Sequence, residues 1–126
     1  MIKKDQLDLT AWELLLPEGI LKYFEVVSAK NNIVDYTISL VEKQIQPGEF
    51  SGRRLSSHGF YNEITIKDFP LRGKACYLKV KRRRWVDDDT GEIVSRNWEL
   101  VARGTRMTQE FASFLKEVHR QQSSKL

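Results

Sequence analysis

The sequence predicts an α+β fold, and three observations predict it. Several short runs alternate apolar and polar residues with period two, as half-buried strands do. Near the C-terminus Phe111, Phe114, Leu115 and Val118 fall at i, i+3, i+4 and i+7, the spacing of a helix with one buried stripe. The chain has 126 residues, 40% of them hydrophobic, which suits one core and leaves no room for a second. The expected architecture is a short N-terminal helical segment, an antiparallel sheet of about five strands, and a C-terminal amphipathic helix packed on that sheet. It forms a single α+β domain over residues 1–120, with a frayed tail at 121–126.

Each element has its own signal. DLTAWELLLPEGILKYF reads as helical turns interrupted at Pro17 and Gly19, with Trp12, Leu15, Leu16, Ile20 and Phe24 as the buried stripe. Pro17 opens a second short turn, where its missing N–H costs nothing. FEVVSAKN and NIVDYTISLVEK form a hairpin around Asn31 and Asn32, residues that tolerate positive φ. QPGEFSGRRLSSHGF, rich in Gly and Ser, reads as a long loop carrying Arg53 and Arg54. NEITIKDF is a short strand, and Pro70 and Gly73 punctuate before KACYLKVKRRRWV. There Cys76, Leu78 and Val80 alternate with Tyr77, Lys79 and Lys81. Arg82, Arg83 and Arg84 are expected to carry the strand past the point where either face is buried. DDDTGE turns it, with Gly91 suited to positive φ, and EIVSRNWELVA returns as the antiparallel partner. Thr108 caps the final helix, while Lys116 and Arg120 suit its C-terminal end.

Charge is concentrated rather than spread. Residues 1–71 carry eight Lys/Arg against ten Asp/Glu, and residues 85–126 carry six against seven. RGKACYLKVKRRR, residues 72–84, carries seven positive charges and no acid, so this one segment outweighs the whole net charge of +4. Such a field favours a polyanion. Other classes recede. One cysteine, Cys76, permits neither an internal disulfide nor a multi-cysteine zinc site, and the two histidines, His58 and His119, are far apart. No signal core or membrane-length apolar run occurs, so a cytoplasmic protein without membrane association is expected. No cofactor, metal or catalytic residue is expected. Asp87, Asp88 and Asp89 are adjacent on a turn with no remote carboxylate to join them, and neither histidine has an acid or nucleophile beside it.

The run ITIKDFPLRGKACYLKVKRRRW, followed by WELVARGTRMTQEFASFLKEV and preceded by LLPEGILKYFEVV, resembles the N-terminal region of ISAon-type bacterial insertion-sequence transposases, within the ISL-three superfamily. The resemblance implies a role in transposition and DNA recombination. It places the carboxylate triad and RNase-H-like core on a separate catalytic chain, leaving this chain to recognise the element's ends or to assist the catalytic chain. In the superfamily a four-cysteine zinc ribbon usually follows the basic strand. WVDDDTGEIVSRNW stands in that place without a cysteine, so no zinc is expected.

The candidate DNA-binding residues are therefore Arg72, Lys74, Lys79, Lys81, Arg82, Arg83, Arg84 and Trp85, with Arg103 and Arg106 before the last helix. A two-stranded ribbon fits the major groove, arginine bridges phosphates or guanine edges, and Trp85 would stack on an unpaired base or hold an arginine plane. The expected partners are the transposon ends and the catalytic transposase subunit. The alternative is a protein-interaction module that docks on that subunit through the same arginines.

Overall fold

The computed structural model describes residues 4–98 and 109–124. A helix, α1 (Lys4–Leu15), leads through a 3-10 turn (Ile20–Lys22) to strands β1 (Phe24–Asn31) and β2 (Asp35–Glu42). A second 3-10 turn (Gly48–Phe50) precedes β3 (Leu55–Phe60), β4 (Ile64–Leu71), β5 (Lys74–Lys81), β6 (Arg83–Asp87) and β7 (Ile93–Val94). The last helix, α2, spans Gln109–Ser124. The fold is α+β, as expected, with its strands divided between two sheets. One has four strands in the order β1-β2-β5-β4, the other three in the order β3-β6-β7. Neighbours are antiparallel except β2 and β5, which run parallel.

Period-two alternation decides which face of the larger sheet is dry. Ile38, Leu40, Ile64, Ile66, Cys76, Leu78 and Val80 point inward and are at most 4% exposed. Against them pack Leu16, Ile20, Phe24 and Trp98, and from α2 Phe114, Leu115 and Val118. Phe24 stacks on Trp98 with centroids 5.1 Å apart and meets Phe114 edge-on at 5.7 Å. Cys76 is a core residue, its thiol pKa pushed up by burial and by nearby Asp68.

Local chemistry sets the joints. The Ile20 N–H reaches the Pro17 carbonyl at 3.2 Å, so the proline does open the second turn. Leu15, counted with the buried stripe, is 46% exposed, because α1 ends there and only Leu16 continues inward. The β1–β2 hairpin closes through side chains rather than positive φ. Asn32 donates to the Asp35 carboxylate at 2.7 Å while its N–H donates to the Asp35 carbonyl. At the β4–β5 turn Leu71 pairs with Lys74, leaving a two-residue loop in which Arg72 (φ 50°) and Gly73 (φ 77°) both have positive φ. That is the twist a two-residue hairpin needs. Pro70 is tolerated in β4 because β4 is an edge strand and slips register between Asp68 and Leu71.

Three sequence expectations change. Residues 55–60, read as loop, form β3, which pairs with β6 despite having no apolar alternation. The return strand after DDDTGE is only two residues long, after which Arg96 and Trp98 turn into the interior. Gln121, assigned to a frayed tail, lies within α2 and donates to the Thr65 carbonyl at 2.8 Å. Thr108 and the side chain of Phe111 lie outside the described residues.

Candidate nucleic-acid interface

The basic segment does not run out as a solvated ribbon. β5 ends at Lys81, Arg82 forms the joint, and β6 crosses into the smaller sheet. Arg82 and Trp85 are each only 3% exposed. The Arg83 guanidinium donates to the Glu42 carbonyl at 3.1 Å and to Ser57 Oγ at 2.6 Å, and lies 4.6 Å from the Phe60 ring. Arg82 and Arg84 rest over Tyr61, at 5.1 and 5.6 Å from its centroid. Burial pulls the Arg82 pKa down from its usual value. Trp85 therefore offers no face for a base, a correction to its expected stacking role. Arg82 is buried at the joint between the sheets, while Arg83 and Arg84 are half-buried against Glu42, Ser57, Phe60 and Tyr61.

Behind them lies a buried ion cluster. Glu42 is 1% exposed and accepts the Arg83 N–H at 3.0 Å and Arg96 Nε at 3.2 Å. Burial raises its carboxyl pKa, and these donors pull against that shift. The DDDTGE turn is equally self-contained. Asp87 accepts from Arg53 Nε at 2.7 Å and from the Asp89 and Thr90 N–H groups, which holds its pKa below the usual range. Asp88 accepts from Ser56, and Asp89 sits 3.7 Å from Arg54. Among the described residues no three His, Cys, Asp or Glu side chains converge as metal ligands.

Lys79 and Lys81 are different. They share the outer face of β5 with Tyr77, opposite Cys76, Leu78 and Val80. Strand register extends that face into rows. Thr37, Tyr77 and Lys67 stand side by side, with Lys30 beyond Thr37. Ser28, Ser39, Lys79 and Thr65 form the next row, and Glu25, Val41 and Lys81 the third. Lys30, Lys67 and Lys81 are exposed and Tyr77 half-exposed, since both helices pack on the other face. Lys79 stands 3.9 Å from Glu63 in an exposed pair, whereas no carboxylate among the described residues pairs with Lys30, Lys67 or Lys81. The result is four lysines around one tyrosine, set among Ser and Thr hydroxyls, with Glu25, Asp35 and Glu63 at the margins.

The remaining candidates are scattered. Arg72 is exposed at the β4–β5 turn, about 20 Å of strand away from Lys81. Lys74 is occupied, donating to Asn31 Oδ1 and the Asn32 carbonyl and lying 4.3 Å from the Tyr36 ring. Arg103 and Arg106, with Gly104 and Thr105, lie outside the described residues. Sequence reasoning missed Lys30, Lys67 and Tyr77 as site residues. The alternation that separates Tyr77 from Cys76 was a usable signal. The parallel β2–β5 pairing, which brings Lys30 into the same face, was not. No helix among the described residues is long and apolar enough to cross a membrane. No family model, curated protein or solved structure matches the chain.

Proposed function

We propose that this chain is a non-catalytic, cytoplasmic DNA-binding module that lays DNA along the outer face of its four-stranded sheet. Its role is the one implied by the resemblance to the N-terminal region of ISAon-type transposases: holding the ends of the element for a catalytic core on a separate chain. The observation that carries this reading is the set of Lys30, Lys67, Lys79 and Lys81 around Tyr77 on a face that neither described helix covers. Lysines of this kind act as point charges on phosphates and release counterions, which supplies affinity without sequence preference. Hydroxyls of Thr37, Ser39 and Thr65 add hydrogen bonds that position the backbone.

Fluorescence anisotropy against the element's terminal repeat and a scrambled duplex, across a salt series, tests the reading. Four phosphate contacts predict a log–log slope of roughly −3 to −4. Replacing Lys67, Lys79 and Lys81 with Ala should lower affinity at least about tenfold and flatten that slope by roughly 2 to 3, with thermal stability nearly unchanged. Absence of binding to any DNA at low salt would remove the proposal.

A second reading, docking on the catalytic transposase chain, draws on Leu9 and Leu14, which are 50% and 82% exposed on α1. Co-precipitation of that chain in high salt with nuclease present, lost on Leu14→Glu, would favour docking.

A further inference from the structure

We infer that the DNA this face takes is an unpaired strand, with a base stacked on Tyr77 and phosphates held by the surrounding lysines; the inference rests on the DNA-binding reading above and specifies its ligand. Shape is the first argument. The face is a four-stranded surface about 14 Å across, and the described helices pack on its other side. Duplex sequence is read by elements that enter a groove, and the segment expected to enter one is instead built into the second sheet. A sheet face that inserts no element into a groove meets a duplex mainly at its phosphates, whereas an unpaired strand offers it both base faces and backbone.

Tyr77 is the second argument. It occupies the middle of the face, half-exposed, between Thr37 on one strand and Lys67 on the other. Its ring and hydroxyl have no ring or hydrogen-bond partner among the described residues, unlike Tyr23 and Tyr61, which carry arginine or tryptophan against their rings. The ring stands outside the hydrophobic core, half-buried among the side chains of the outer face. It is a platform for a base, and stacking tolerates any base because each has a π-face. The lysines stand at the spacing such a strand requires. Lys79 and Lys81 follow Tyr77 at about 7 Å per step along β5, and Lys67 stands about 5 Å away on β4. Backbone phosphates on either side of a stacked base fall within their reach.

The experiment compares the full chain with Tyr77→Ala and Tyr77→Phe, using a labelled 12-nucleotide single strand and the same sequence locked as a duplex, at one low salt concentration. The expected result is single-strand binding at least about tenfold tighter than duplex binding. Tyr77→Ala should weaken single-strand binding by roughly 5- to 100-fold and leave duplex binding unchanged, while Tyr77→Phe, which keeps the ring, stays near the parent. Duplex binding as tight as single-strand binding, or Tyr77→Ala equal to the parent on the single strand, overturns the inference. The DNA-binding reading would then still stand if alanine at Lys79 and Lys81 weakens duplex binding. Failure of both DNA forms to bind overturns the two together.

Discussion

Glu42 and Asp87 titrate in opposite directions for reasons visible around each. Burial is the largest influence on Glu42, so its folded pKa lies above the ordinary 4.5 despite Arg83 and Arg96. The folded state then holds a proton that the unfolded state has already released, and stability falls as pH rises from 4.5 through the raised value. Asp87 is the reverse, held below 3.8 first by the Arg53 hydrogen bond and then by backbone donors. Its contribution is complete above 3.8 and is lost as pH falls through the depressed value, because the unfolded chain takes the proton first. Urea unfolding below that ordinary value should therefore show a shallower acid loss in Asp87→Asn than in the parent; an identical loss would separate Asp87 from acid stability. Glu42→Gln should abolish the fall through the upper window. Neither role was legible in sequence. Glu42 finds Arg83 and Arg96 at separations of 41 and 54 residues, and no local pattern encodes such a meeting.

Elements were legible in proportion to their periodicity. β2, β4, β5 and α2 carry clear alternation or helical spacing, and they form where that spacing places them. β3 was missed because Leu55, Ser56, Ser57, His58, Gly59 and Phe60 offer no apolar face; its strand conformation comes from β6, with Leu55 opposite Asp87 and Ser57 opposite Trp85. The arginine run misled for a related reason. Charge suggested solvent, but Phe60, Tyr61 and Glu42, all remote in sequence, accommodate the guanidinium groups as β6 leaves the first sheet. The β4–β5 turn holds a testable imperfection. Arg72 occupies left-handed backbone at φ 50°, which costs a side-chain-bearing residue on the order of 1 kcal/mol, and Asn suits that position better. Arg72→Asn should raise stability by about 0.5–1 kcal/mol in denaturant unfolding, and a loss would show that the arginine side chain itself holds the turn.

At the scale of the whole molecule, the concentration of positive charge in residues 72–84 is plain from sequence, while its distribution in space is not. The fold splits that segment three ways. Lys74 clamps a hairpin, Lys79 and Lys81 face outward, and Arg82, Arg83 and Arg84 join two sheets. In exchange, strand pairing brings Lys30 and Lys67, which lie outside the basic run, onto the same outer face. The proposed surface is thus a product of topology acting on alternation. Its charge came partly from places where sequence drew no attention.

The most direct test of that surface is an amide chemical-shift titration of the labelled chain with a short single-stranded oligonucleotide. Binding as described here would move the amides of Lys30, Thr37, Ser39, Lys67, Tyr77 and Lys79 together, and leave those of Arg83, Arg84 and Trp85 and of α2 nearly still. Shifts confined to residues 82–94, with the outer face of the four-stranded sheet unmoved, would contradict it and return recognition to the arginine segment.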